Sequence, residues 1–259
     1  MGERTSEQVV RDRRQEEKHM RIVLIGRGRL ATNLEPALKA AGHEVVSVNS
    51  RTLELLPMTA DVFVISVKDD ALEEVISKAT KGREEQCFAH TAGSMPMSLF
   101  EGKTSHYGVF YPMQSFSKER QASFEEIPVF LEANDDATFQ LLQSLAESIS
   151  HRVYKLGSDD RKYLHLAAVF ACNFTNHCYA LSADILEQHG LPFDVMLPLI
   201  DETASKVHQL HPKDAQTGPA VRYDENVISM QRQLLTQHPE MQAVYELMSK
   251  SIHHKATNK

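Results

Sequence analysis

Residues 21–31 read Arg21-Ile22-Val23-Leu24-Ile25-Gly26-Arg27-Gly28-Arg29-Leu30-Ala31. The run through Ile25 is almost wholly apolar, as in a strand covered on both faces of a parallel sheet. Helical spacing follows over Leu30–Ala41 and stops at Gly42, a natural C-terminal cap. Between strand and helix lies Gly-x-Gly-x-x-Ala. In that setting Gly26 permits the tight turn and Gly28 lets the backbone approach a diphosphate. Ala31 lets helix and strand pack closely, and the free amides at the helix start, from Arg29 and Leu30 onward, face the anion. Gly-x-Gly alone is common. Its place on a first strand, turn and helix, with a second strand at Val45–Val48, marks residues 20–51 as a dinucleotide-binding Rossmann unit.

The end of the second strand selects the cofactor. NAD sites carry Asp or Glu there for the ribose 2′-hydroxyl. Here the residues are Asn49-Ser50-Arg51. Arg51 can pair with a 2′-phosphate, and Asn49 and Ser50 can donate hydrogen bonds to it. The expected cofactor is therefore NADP(H), with Arg27 or Arg29 adding positive charge at the diphosphate. Ligands in such sheets sit at the carboxyl ends of the strands. That places Ser66, Val67 and Lys68, then Thr91, Gly93 and Ser94, along the cofactor's path. Asp69 or Asp70 is expected to cap the helix that follows Lys68, with Glu73 or Glu74 completing a capping box.

The alternation of strand and helix continues through Val62–Val67, Cys87–Thr91, Tyr107–Phe110, Val129–Glu132, a helix near Ala137–Ser150, and Val153–Leu156. Such alternation means a doubly wound α/β sheet. Beyond Gly157 no segment reads as a strand. Asp159–Gln188 reads as one helix, about 45 Å long at 1.5 Å per residue. Phe193–Leu210 reads as a second, His211–Tyr223 as a loop, and two more helices flank Pro239. The expected organisation is a polar tail over 1–19, a Rossmann domain over 20–157 and an all-helical domain over 158–259. Met20 is the expected functional beginning of the fold.

Composition excludes several classes. A net charge of −7 argues against a general nucleic-acid binder, whose phosphate contacts need clustered Lys and Arg. No apolar run approaches a membrane span, and the charged N-terminus carries no secretory core segment. Three cysteines, Cys87, Cys172 and Cys178, with no CxxC spacing argue against disulfides and structural zinc. Neither His177 and Cys178 nor His253-His254 reads as a metal site. The expected location is the cytoplasm.

The helix over Asp159–Gln188 carries the candidate chemistry. At 100° per residue, Lys162, His165, Val169, Asn173 and Asn176 fall within an arc of about 80°. A polar stripe on an otherwise apolar helix must find partners, because an unmet buried amide costs about 1–3 kcal/mol. A cleft shared with a nicotinamide ring satisfies it, and so do bonds to neighbouring backbone. His165 is the candidate general acid/base because its ordinary pKa is near neutrality. Lys162 is the alternative proton donor, and Asn173 and Asn176 would orient a substrate carbonyl or carboxylate. Arg222, in the loop around Thr217-Gly218-Pro219, could bind a substrate anion or pair with Asp224.

Several segments together resemble a bacterial family of Rossmann-like proteins. They are Gly26–Leu34, Ile65–Ala71, His90-Thr91-Ala92-Gly93-Ser94 and Tyr111-Pro112-Met113-Gln114-Ser115-Phe116, with Tyr163–His177 and Thr217-Gly218-Pro219 in the second half. That family joins a nucleotide domain to a helical domain of unknown function. More distantly the chain resembles pyrroline-5-carboxylate reductase, deazaflavin-dependent NADP oxidoreductases, and the 6-phosphogluconate and 3-hydroxyisobutyrate dehydrogenases. The helical domain is expected to resemble the C-terminal domain of 6-phosphogluconate dehydrogenase. The resemblance implies NADP binding, a cleft between the domains and a homodimer formed through the helical domain. The hydroxyacid dehydrogenases carry a lysine three residues before the helix asparagine. Phe170 stands there relative to Asn173, so that mechanism is not implied. The expected function is hydride transfer between NADP(H) and a small carbonyl or imine substrate. The alternative is a non-catalytic NADP(H)-binding sensor or partner protein.

Overall fold

The computed structural model describes residues 19–258. The expected polar tail lies outside the described residues, His19 excepted. The chain divides into two compact units, one ending at Cys172 and the other beginning at Asn173.

The first unit is built on a seven-stranded sheet. Its strands are β1 (Arg21–Ile25), β2 (Glu44–Val48), β3 (Val62–Ile65), β4 (Cys87–His90), β5 (His106–Pro112), β6 (Val129–Ala133) and β7 (Val153–Lys155), in the order β2-β1-β3-β4-β5-β6-β7. All neighbours are parallel except β5 and β6. This is the doubly wound Rossmann-like sheet that the alternation predicts. The chain leaves β1 for β2 on one side and returns to β3 on the other. The carboxyl ends of β1 and β3 therefore border a topological switch point, where open α/β sheets bind ligands.

The continuous apolar runs have a packing cause. Ile22 and Leu24 point to one face, with Leu34 and Leu38 of α1 (Arg29–Ala40) and Leu142 and Leu145 of α3 (Asp136–Glu147). Val23 and Ile25 point to the other, with Leu72 and Ile76 of α2 (Asp69–Ala79), and Phe63 stacks on Phe88 at 4.7 Å. Every one of these side chains is buried. At about 1.5–3 kcal/mol each for full burial, the two layers supply most of the drive to fold this unit.

Three local expectations change. The first residue before α2 is Lys68, not an aspartate, and no side chain caps that helix. The Asp69 carboxylate instead accepts a hydrogen bond from the Ser94 hydroxyl. The helix expected over Asp159–Gln188 is α4 (Ser158–Ala168), a π-helical segment Val169–Phe174, and α5 (Thr175–Gln188). The apolar pattern runs through the π segment and conceals it. Its wider turn removes the uniform 100° step on which the expected stripe from Lys162 to Asn176 rests. The loop expected over His211–Tyr223 contains two short helices, α7 (Pro212–Ala215) and α8 (Pro219–Arg222), each started by a proline.

The second unit is otherwise α5, α6 (Leu197–Lys206), α9 (Glu225–Leu234) and α10 (Pro239–Thr257). Tyr223 ends α8 in the left-handed region at φ 51° and packs its ring on His253 of α10, 4.9 Å between centroids.

Candidate functional site

A cleft of about 1360 Å³ opens at the carboxyl ends of the parallel strands, and every residue lining it belongs to the first unit. Its floor is the turn between β1 and α1. Gly26 has φ 124°, and its amide donates to the Val48 carbonyl at 2.9 Å. A side chain on Gly26 would overlap the Ser66 carbonyl oxygen, so only glycine lets β1 and β3 turn this close together. Gly28 differs. Nothing lies within 4 Å of the position a Cβ would take there. The fold itself leaves that space open. Beside it, α1 has no side-chain cap and no acidic residue in its first turn. Its first amides are therefore left for an anion.

Arg27, Arg29 and Leu30 line the cleft, as do Asn49, Ser50 and Arg51 at the end of β2. The Asn49 Oδ1 accepts from the Arg51 backbone N–H at 3.0 Å, which shapes the turn that carries Arg51. Ser66, Val67, Lys68, Thr91 and Gly93 line it too. Two of the expected residues do not line the cleft. Ala31 is buried in the core with Ile22, Leu24 and Leu34, as close helix–strand packing requires, and Ser94 is exposed and bound to Asp69. Glu54, three residues beyond Arg51, also lines the cleft. This carboxylate lies beyond the strand-end positions that select the cofactor.

His165 lines the same cleft and Lys162 does not. Lys162 is exposed and bound to Asp159 at 3.0 Å, which holds its ammonium above the usual lysine range. Asn173 and Asn176 are exposed residues of the second unit, in the π segment and in the first turn of α5.

The partner of His165 is remote in the chain and carries no local signal. Tyr111, the penultimate residue of β5, places its hydroxyl 3.1 Å from His165 Nδ1. The rings meet edge to face. Burial pushes the Tyr111 phenol above its ordinary pKa against the pull of the nearby Arg161 guanidinium. Gly93 makes the contact possible. A Cβ there would stand 2.6 Å from His165 Nδ1 and 2.8 Å from Tyr111 Cζ.

Behind this pair lies a buried ion pair. Arg161, one turn before His165, is 1% exposed. It donates to the Glu132 carboxylate at 2.5 Å and to the Met95 carbonyl at 2.6 Å. Ser158 also donates to Glu132, at 2.6 Å. The group ties α4 to β6 and to the loop that carries Gly93. The neighbouring His90 is fully buried, and its pKa is pushed down to about 4, by burial first and by Arg161 second. Among the described residues no cluster of His, Cys, Asp or Glu could hold a metal, and no helix is long and apolar enough to cross a membrane.

Across 92% of its length the chain matches the crystal structure of a Bacteroides fragilis protein described as a "putative NADP oxidoreductase". The identity is 49%, the TM-score 0.88, and 99% of that protein is covered. The chain belongs to the family of that protein. A family model described as a domain of unknown function, DUF2520, matches residues 127–252. More distant members of the fold include a Thermotoga maritima protein (21% identity, TM-score 0.68, 91% of this chain and 98% of that one). A Myxococcus stipitatus imine reductase in complex with NADP+ shares the fold at 15% identity and TM-score 0.63, over 90% of this chain and 93% of that one. No curated protein matches.

Proposed function

We propose that the chain is an NADP(H)-dependent oxidoreductase acting on a small carbonyl or imine substrate. The observation that carries this reading is the convergence of four elements on one cleft. They are the Gly26–Gly28 turn with its uncapped helix, the Asn49-Ser50-Arg51 strand end, the Ser66–Lys68 strand end, and His165. The membership of a protein described as an NADP oxidoreductase in the same family supports it.

When bound, the nicotinamide supplies or accepts the hydride. The chain's residues bind, orient and handle the proton. The α1 amides and Gly28 receive the diphosphate, and Arg51 pairs with the 2′-phosphate. His165 exchanges the proton with the substrate oxygen or nitrogen. Its Nδ1 is occupied by Tyr111. That leaves Nε2 as the nitrogen for exchange. The Tyr111 hydroxyl at Nδ1 fixes the ring. Lys162, held charged by Asp159 outside the cleft, is the weaker candidate. Asn173 and Asn176 are assigned to orienting the substrate carbonyl or carboxylate. A homodimer through that half, a small-molecule substrate rather than nucleic acid, and a cytoplasmic location complete the reading.

Dissociation constants for NADPH and NADH test the cofactor. Tighter NADPH binding that reverses in Arg51→Ala is expected, and tighter NADH binding by the wild type overturns it. Single-turnover oxidation of bound NADPH by keto acids, imines and deazaflavins then tests catalysis. His165→Asn is expected to lose turnover and keep nucleotide affinity. Wild-type NADPH binding with no oxidation by any of these would favour the sensor reading.

A further inference from the structure

One buried amide ties the nucleotide helix to a segment that the proposed function leaves unused. Asn33 lies one turn into α1 and is 2% exposed. Its Nδ2 donates to the Arg29 carbonyl at 2.9 Å and to the Ser117 carbonyl at 2.8 Å. Its Oδ1 accepts from the Ala122 backbone N–H at 2.8 Å. Both amide hydrogens and the carbonyl are thus engaged. The side chain fixes Ser117 and Ala122, and with them the stretch between, against the first turn of α1.

Lys118 is the next residue. Its Cα is within about 3.8 Å of that of Ser117. It is exposed and lines the same cleft as Gly28 and Arg29. Among the described residues no carboxylate is within ion-pair distance of it. Of the other cations of the cleft, Arg27, Arg29, Arg51 and Lys68 are expected cofactor contacts, and Lys78 is bound to Glu74 at 2.5 Å. Lys118 is an uncommitted positive charge delivered beside the helix start by that anchor.

We propose that Lys118 binds the diphosphate of the dinucleotide, presented by the segment that Asn33 anchors. The inference rests on the proposed cofactor. The anchor at Arg29 places Lys118 at the helix start, whereas Arg51 stands at the end of β2. The diphosphate is common to both nucleotides. Lys118 therefore adds affinity without discriminating between them, and Arg51 discriminates.

The test is the dissociation constant of the full-length protein for NADPH and for NADH at one ionic strength. Lys118→Ala is expected to weaken both by about tenfold, the size of one lost charge-assisted contact, and Lys118→Arg to restore most of it. Because Lys118 is exposed, the melting temperature without nucleotide should not move. Asn33→Ala should weaken both nucleotides with Lys118 intact. If it fails to fold, Lys118→Ala still decides. Unchanged affinity in Lys118→Ala overturns the inference. So does a loss confined to NADPH, which would move Lys118 to the 2′-phosphate. A folded wild-type protein that binds neither nucleotide overturns the proposed cofactor and this inference with it.

Discussion

The Tyr111 hydroxyl and His165 Nδ1 lie 3.1 Å apart, between residues separated by 54 positions in the chain. β5 supplies one and α4 the other. The contact exists because the loop after β4 passes between them at Gly93, the residue type with no side chain to obstruct it. Three elements with no local relation in sequence thus converge on the histidine that the proposed reaction uses.

Gly93→Ala should therefore disturb the pair directly. The added methyl would stand 2.6 Å from His165 Nδ1, and the neighbours on both sides are rings rather than flexible chain ends. Overpacking of this kind costs about 1–3 kcal/mol. Urea denaturation should show a loss in that range, and the His165 ring resonances should shift. Stability equal to wild type would mean that the rings part freely and that Tyr111 does not fix His165.

The two glycines of the turn should separate structure from binding. Gly26→Ala meets the Ser66 carbonyl at a φ of 124°, so the protein without nucleotide should lose about 1–3 kcal/mol. Gly28→Ala meets nothing, and apo stability should change by less than about 1 kcal/mol, the range of N-cap exchanges. Its NADPH affinity should nevertheless fall by about tenfold or more, equal to about 1.4 kcal/mol. Thermal melts with and without NADPH check both. Undiminished affinity in Gly28→Ala would show that the diphosphate does not approach there.

This contrast shows what the sequence could and could not carry. The sheet was legible because Ile22–Ile25 and Val62–Ile65 are buried on both faces, and such strands announce themselves as unbroken apolar runs. The cofactor turn was legible because its residues are contiguous. Tyr111 and Asn33 are not legible in the same way, because each meets a partner 54 to 89 positions away. Arg161 is concealed for a related reason: a lone arginine in a helix reads as solvated until its burial is known. The π segment escaped because periodicity sees apolar residues, not the hydrogen-bond register that joins them.

Arg161 and Glu132 make the strongest stability prediction. Arg161→Met removes the cation from a carboxylate that is 18% exposed and leaves it only Ser158. Breaking one side of a buried pair typically costs about 3–5 kcal/mol. The partial exposure of Glu132 places the loss near the lower end. Glu132→Gln in the same chain should recover part of it, since the uncompensated charge is then gone. A double-mutant cycle by chemical denaturation reads the coupling. Additive losses would mean that the two residues stabilise the fold independently.

The last prediction concerns pH. His90 is fully buried, accepts a hydrogen bond from the Ala92 amide at Nδ1 (3.2 Å), and faces the Pro96 carbonyl with Nε2 (3.3 Å). These partners suit a neutral ring protonated on Nε2, and burial with Arg161 pushes the pKa down from 6.5 to about 4. A histidine with a depressed native pKa binds its proton more readily in the unfolded chain. Stability is therefore complete above pH 6.5, falls as pH drops towards 4, and falls no further from this group below that. Between pH 7 and pH 4.5 the loss from His90 should be about 2 kcal/mol. His90→Gln removes the titration whatever it does to stability at pH 7. His43, also depressed by burial, is common to both proteins and cancels in the comparison. Urea unfolding free energies at several pH values should therefore give a shallower slope for His90→Gln than for the wild type. Parallel curves would show that His90 takes up its proton in the folded protein at its ordinary pKa.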